Sequence, residues 1–103
     1  MASTREYLDY VLDQLSGLPE VTYRGMMGEY ILYCRGRIFG GIYDDRLLLK
    51  DVPAARERMP GAAPEPPYEG GRPMLPAEIM DDREALRSLI LAMLPELPEP
   101  GKK

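Results

Sequence analysis

The stretch YRGMMGEYILYCRGRIFGGIYDDRLLLK, residues 23–50, decides the fold because its apolar residues alternate with the period of β-strands. Three short segments of turn-forming residues interrupt the alternation. Gly28 marks a bend or bulge, and Arg35-Gly36 and Asp44-Asp45 read as tight turns. With the residues just before it, the stretch predicts strands at residues 21–27, 29–35, 37–43 and 46–50. Hairpins between successive strands make these an antiparallel meander.

Three amphipathic segments flank these strands. The first begins at a capping-box pattern of Ser3 and Glu6, the second at Asp51, and the third at Asp81 or Asp82. Each presents one apolar stripe that would pack on the sheet. The stripes are Leu8, Val11, Leu12 and Leu15, then Ala54, Ala55 and Met59, then Leu86, Leu89, Ile90, Met93 and Leu94.

A proline- and glycine-rich loop at residues 60–71 separates the second and third helices. Residues 73–78 are expected to add an edge strand, since Pro73 and Pro76 would be costly in a central one. The sequence thus predicts an α+β fold with an antiparallel sheet of four to five strands, in the order α-β-β-β-β-α-β-α. We expect a single domain over residues 1–94 and a flexible tail over residues 95–103.

Composition narrows the function. The 103 residues carry a net charge of −4, and the isoelectric point of about 4.8 disfavours direct nucleic-acid binding. Neither a signal peptide nor a membrane-spanning segment is visible, and the single cysteine cannot form an internal disulfide, so we expect a cytoplasmic protein. The chain contains no histidine, which removes the commonest general base and zinc ligand.

Three motifs could in principle carry chemistry, and each has a simpler structural interpretation. Gly25–Gly28 and Gly40-Gly41 lie within or between strands, not before a helix as a phosphate loop requires. The pairs Asp44-Asp45 and Asp81-Asp82 lack metal-ligand spacing and suit turns and helix caps. Cys34 fits a small buried residue better than a nucleophile, because Arg35 points to the opposite face of its strand. We therefore expect no catalytic residues, no metal and no cofactor.

The sheet face turned away from the helices, called the outer face below, is unexpectedly apolar. Ile31, Tyr33, Phe39 and Tyr43 are predicted to lie there, where a solvated face would be polar. Two interpretations stay open: the proline-rich loop with Tyr68 covers the face, or the face binds a protein, most simply a second copy of the chain. Met26, Met27, Tyr30 and Tyr43 also suggest a small-molecule pocket between the sheet and the helices.

The order and spacing of these residues resemble the amino-terminal domain of the TfoX/Sxy family of competence regulators. The matching positions are Arg24, Gly28, Tyr30, Gly36, Phe39, Asp44, Asp45, Leu47 and Lys50, followed by Tyr68, Gly71, Pro73, Met74 and Asp82. Met27 and Glu29 depart from the pattern, where phenylalanine and glycine are usual. The chain is expected to be a stand-alone copy of the domain, without the second domain of the full-length regulators.

The resemblance implies an α+β fold similar in layout to secretion-chaperone-like domains, which often form dimers. It also implies a role in the transcriptional control of DNA uptake, exerted through contacts with proteins such as the cyclic-AMP receptor protein. It supplies no catalytic residues. The sequence therefore predicts a non-enzymatic protein-interaction module, with a small-molecule-binding domain as the alternative.

Overall fold

The computed structural model describes residues 3–97 and has the α+β order expected from the sequence. Its elements are α1 Arg5–Gln14, β1 Val21–Met26, β2 Glu29–Cys34, β3 Arg37–Ile42, β4 Leu47–Leu49, α2 Pro53–Arg58, β5 Leu75–Pro76 and α3 Arg83–Met93, followed by a 3₁₀ turn at Leu94–Glu96. The five strands form one antiparallel sheet in the order β1-β2-β3-β4-β5. No helix within residues 3–97 is long and apolar enough to cross a bilayer.

The first three hairpins share one turn geometry. Each has two central residues with positive φ, which matches the right-handed twist of the flanking strands. The pairs are Met27-Gly28 (52° and 85°), Arg35-Gly36 (54° and 78°) and Asp44-Asp45 (53° and 56°). Gly28 is thus the second central residue of a two-residue hairpin loop, rather than a bulge within a strand.

A β-bulge in β3 corrects the predicted faces of that strand. Leu32 pairs with Gly40 and Tyr33 pairs with Ile38, so the register passes over Phe39. One extra residue shifts the alternation of side chains by one position. Phe39, predicted for the outer face, is therefore fully buried in the core, and Ile38 takes a place on the outer face.

The core lies between one face of the sheet and the three helices. Leu32, Cys34, Phe39 and Ile42 supply the centre of the sheet's contribution. The apolar stripes of the helices meet them, as the sequence pattern predicts. The helix residues buried in this cluster are Leu8, Val11 and Leu15 of α1 and its C-cap, Ala54, Ala55 and Met59 of α2 and its C-cap, and Leu86, Leu89, Ile90 and Met93 of α3.

Two helix starts differ from the predicted caps. Thr4, not Ser3, caps α1, since its hydroxyl accepts a hydrogen bond from the Tyr7 amide at 3.1 Å. Val52 precedes α2 without capping it, and the Ala54 amide donates instead to the Glu96 carboxylate at 2.9 Å. Asp82 caps α3, one of the two residues expected to do so.

The packed chain continues past the predicted end of the domain. Leu97 is only 5% exposed, and its carbonyl accepts a hydrogen bond from the Arg37 guanidinium at 2.9 Å. The first residues of the expected tail therefore belong to the domain. Residues 98–103 of that tail lie outside the described residues.

Candidate functional site

Three residues that match the family pattern, Gly28, Asp44 and Asp45, take part in a hydrogen-bond network at the start of α1. The Ser3 hydroxyl donates to the Glu29 carboxylate at 2.6 Å and accepts from the Asp45 amide at 3.0 Å. The Ser3 amide donates to the Gly28 carbonyl at 3.0 Å, and the Asp44 amide donates to Glu29 at 3.2 Å. Two hairpin turns are thereby tied to the first helix. These contacts give Gly28, Asp44 and Asp45 a role in folding, as hairpin turns and as ties to the first helix.

The outer face carries five apolar or aromatic side chains that are neither fully buried nor fully solvated. Met26 is 50% exposed. Ile31, Tyr33, Ile38 and Tyr43 are each about half-buried. The register places Met26 beside Glu29 in β1 and β2, and Tyr33 directly beside Ile38 in β2 and β3. Together these residues form an apolar surface across three neighbouring strands.

The proline-rich loop folds over one side of this surface as a flap, defined here as residues 64–74. Glu65 and Met74 form a β-bridge with amide-to-carbonyl distances of 2.8 and 2.7 Å. The Arg46 guanidinium ties the flap to the sheet by a salt bridge to Glu65, while its Nε donates to the Tyr43 carbonyl at 3.1 Å. The β-bridge and the salt bridge thus fix the conformation of the flap and its position on the sheet. On this side of the outer face Leu48 of β4 is completely buried.

Between the flap and the uncovered part of the outer face lies a groove with a volume of about 880 Å³. Ile31, Ile38 and Tyr43 line it from the sheet. Tyr68 and several prolines line it from the flap, and the rings of Tyr43 and Tyr68 stand 6.2 Å apart at an angle of 59°. The flap therefore covers part of the outer face, as one of the two interpretations of the sequence expected, and leaves the rest open. Binding of a protein to the open part stays a prediction.

The groove differs from the pocket predicted between the sheet and the helices. Met26 and Tyr43 line the groove, as members of the predicted set. Met27 stands on the β1–β2 turn and is 96% exposed. Tyr30 packs against the core on the opposite face, where its ring meets Tyr23 edge-on at 5.9 Å. The structure thus separates the four predicted pocket residues over both faces and a turn.

Cationic groups surround the groove in a protein whose net charge is −4. Lys50 lies at the end nearest Ile38, and Arg72 comes from the flap. Arg24 lies on the uncovered side, directly across from Ile31 in the register. Within residues 3–97 none of these three side chains makes a salt bridge or a side-chain hydrogen bond.

Two further charged residues line the groove, Arg56 and Asp51, and they neutralise each other. The Arg56 guanidinium donates to both oxygens of the Asp51 carboxylate, at 2.6 and 2.7 Å. These hydrogen bonds hold the pKa of Asp51 below its ordinary value. Burial raises the pKa of Tyr43 above the ordinary value for a phenol, so Tyr43 stays neutral at physiological pH. The groove can therefore offer apolar contact, the phenol hydroxyls of two tyrosines and positive charge.

Cys34 occupies a position without features of a nucleophile. Its side chain is fully buried, and its sulfur lies 3.6 Å from the Pro19 carbonyl oxygen. Burial raises the pKa of the thiol, and the nearby Arg35 only partly offsets that effect. Thiols of this kind are unreactive because little thiolate forms. Within residues 3–97 no group of three or more histidine, cysteine or acidic side chains is placed to hold a metal ion.

Sequence reasoning missed Ile38 and Arg72 as members of this site. With Phe39 predicted for the outer face, strict alternation implied the core face for its neighbour Ile38, because the bulge at Phe39 was not recognised. Two consecutive glycines, Gly40 and Gly41, follow that bulge and were its available signal. Arg72 had no such signal, since its position depends on how the flap folds back over the sheet.

The chain matches the TfoX N-terminal domain family over residues 13–94. It is also 30% identical over 101 residues to an uncharacterized 12.7 kDa protein in the trpE 5′ region of Spirochaeta aurantia, a match that covers 97% of this chain and 88% of that protein. No solved structure gives a significant match. On the extent of the family match, this chain belongs to the TfoX N-terminal domain family.

Proposed function

We propose that this domain is a non-enzymatic interaction module that binds a protein partner through its outer face. One observation carries the proposal: Met26, Ile31, Tyr33 and Ile38 form an apolar surface across three neighbouring strands that stays partly exposed beside the flap. Contiguous apolar surface on a small domain is typical of interaction sites. The buried thiol of Cys34 and the structural use of Asp44 and Asp45 support a role without catalysis.

Two kinds of partner are proposed for this surface. Self-association as a homodimer is the simplest, because a single patch can serve both copies about a two-fold axis. A protein of the transcription machinery is the other, and the resemblance to competence regulators supports it. Either partner would bury the exposed side chain of Met26 and the half-buried side chain of Tyr33.

The test compares two substitutions of the same kind on opposite sides of the molecule. Met26→Glu places a charge on the outer face, where the native side chain is 50% exposed. Leu91→Glu is the matched control, because Leu91 lies on α3 and is 40% exposed. Both positions are open enough for the variants to fold, which circular dichroism would verify.

Association is measured by light scattering of the purified protein and by capture of partners from lysate of the source organism. We expect the wild type to form a dimer or to retain a defined partner, and Met26→Glu to lose that species while Leu91→Glu keeps it. A desolvated glutamate would oppose burial of the surface. If both variants associate as the wild type does, the outer face is not the binding surface.

A second candidate function is binding of a small molecule in the groove. Its volume of about 880 Å³ lies within the usual range for ligand sites, and its walls are mainly apolar with two facing tyrosines. A ligand that binds the folded state raises the melting temperature by mass action. Thermal denaturation across a metabolite panel would reveal such a ligand, and Tyr68→Ala should abolish the shift without unfolding the protein, since Tyr68 is largely exposed.

A further inference from the structure

We infer that the partner binds through a short, extended and acidic peptide segment that lies in the groove between the flap and the outer face. The inference rests on the proposed function and adds the chemistry of the partner. It is carried by the shape of the groove and by the charges around it.

The floor of the groove follows the direction of the strands. Tyr43 lies near the β3–β4 turn, Ile31 lies two rows further along in the register, and Ile38 lies two rows beyond Ile31, beside Tyr33. At about 3.3 Å per residue, an extended segment of four to six residues would span this floor. The tyrosine and proline side chains of the flap form one wall, and the β1 side is open, which suits a chain entering from the side.

The charges around the groove indicate that the bound segment carries a negative charge. Lys50 and Arg72 line the groove and Arg24 stands on its open side, and none of them is engaged by another described residue in 3–97. The remaining lining charges are Arg56 and Asp51, which neutralise each other. On the flap, Glu65 is held by Arg46, and Glu69 is exposed but does not line the groove. Glu29, which pairs with Met26 and acts on Tyr43, is the one further carboxylate at the groove, and it accepts hydrogen bonds from Ser3 and from the Asp44 amide. Three cations without a partner among residues 3–97 against this carboxylate leave the groove with a net positive charge, on a protein of net charge −4.

This charge pattern also bears on self-association. A two-fold dimer with groove facing groove would bring Lys50 and Arg72 of one copy close to the same residues of the other. Like charges brought together in this way disfavour such a complex. An acidic segment would instead place carboxylates beside both cations while its apolar side chains, on alternate positions, contact Ile31 and Ile38.

The experiment uses two defined probes of the same length and pattern that carry opposite charges. One is an acetylated and amidated hexapeptide of alternating glutamate and leucine, and the other has lysine in place of each glutamate. Each is titrated into the isotope-labelled full chain, with backbone amide shifts followed by NMR at low salt. We expect the acidic probe to bind at least about tenfold more tightly, with shifts at Ile31, Ile38 and Lys50, and to weaken as salt is added.

Matched charge reversals test the contribution of the groove. Arg72→Glu removes a lining cation, while Arg58→Glu makes the same change in net charge on α2 outside the groove. We expect Arg72→Glu to weaken the acidic probe at least about fivefold and Arg58→Glu to change it less than about twofold. Both side chains are exposed, so neither substitution should impair folding.

The inference is overturned if the two probes bind equally, if the lysine probe binds more tightly, or if the shifts map to the side of Leu91. It is also overturned if neither probe binds. Failure of the inference is distinguishable from failure of the proposed function: if neither probe binds but Met26→Glu still abolishes association, the outer face is a binding surface for a partner of different chemistry. If association survives Met26→Glu while the acidic probe binds in the groove, the proposed outer-face interaction fails and the peptide site stands.

Discussion

The two faces of this sheet are built from similar residues and are covered in different ways. On the core face, Leu32, Phe39 and Ile42 are completely buried beneath three helices. On the outer face, Ile31 and Ile38 are only half-buried, because the flap reaches over β4 and stops short of β1. A helix presents a continuous apolar stripe and closes the surface beneath it. An irregular loop rich in proline and glycine covers only what its few contacts reach.

The difference separates residues that stabilise the fold from residues that are available for binding. Apolar area buried on the core face contributes to the free energy of folding at about 25 cal/mol per Å². Apolar area left on the outer face contributes little to folding and can be buried only by another molecule. Because of the bulge, Phe39 belongs to the residues that stabilise the fold, and its neighbour Ile38 belongs to those available for binding.

The largest expected effect on stability is that of truncating Phe39, and its neighbour Ile38 provides the comparison. Phe39→Ala should lower the free energy of unfolding by about 3–5 kcal/mol, because it removes a fully buried ring and leaves a cavity. Ile38→Ala should cost roughly 1 kcal/mol, since that side chain is already partly hydrated. Urea denaturation followed by circular dichroism measures both values.

Equal costs for the two substitutions would show that the bulge does not place Phe39 in the core. The same comparison rules out Phe39→Glu as a probe of the outer face. A glutamate at that position would carry an unpaired charge into the core and unfold the protein, whatever the outer face binds. Met26→Glu avoids this ambiguity because the native side chain lies outside the core and is 50% exposed.

The elements of the fold could be predicted from the sequence because each depends on local patterns. The turn at Asp44-Asp45 and the stripe of α3 are read from neighbouring residues alone. The errors occurred where distant residues decide the outcome. The Ser3 hydroxyl does not cap α1 because it is hydrogen-bonded to the Glu29 carboxylate and the Asp45 amide, which lie 26 and 42 positions along the chain. The N-terminus of α2 is satisfied by Glu96, 42 positions away from Ala54.

The groove was harder to predict than the fold for the same reason. It depends on the phase shift at Phe39 and on the salt bridge from Arg46 to Glu65 that holds the flap. The alternation along the strands could indicate that the outer face is unusually apolar, and it did so through Ile31, Tyr33 and Tyr43. It could not place Lys50 and Arg72 beside them, because that arrangement exists only once the loop has folded back.

An intermediate effect is expected at the glycine that follows the bulge. A methyl group on Gly40 would lie 2.3 Å from the Leu48 carbonyl oxygen and 3.1 Å from the Leu49 Cα, both backbone atoms that cannot move aside easily. Gly40→Ala should therefore destabilise the protein by about 1–3 kcal/mol and disturb the pairing of β3 with β4. Chemical denaturation gives the cost, and amide shifts of β4 show the disturbance.

Gly25 supplies the control, since a methyl group there would meet only the Tyr30 ring, at 3.9 Å. Gly25→Ala should change stability by no more than about 0.5 kcal/mol. If Gly40→Ala is equally harmless, the strands are not as closely apposed beneath the flap as the geometry requires. The boundary between the covered and uncovered parts of the outer face would then need to be redrawn.

The smallest effect is expected at the boundary itself, where Tyr43 lies under the flap. Burial raises the pKa of its phenol in the folded state, so folding favours the neutral form. The contribution is fully present below the ordinary phenol pKa of about 10 and is lost as the pH rises through the folded value. Stability should therefore fall more between pH 9 and pH 11 in the wild type than in Tyr43→Phe, as measured by urea denaturation. Identical losses would mean that the flap does not shield Tyr43 from water, and that both parts of the outer face are equally open.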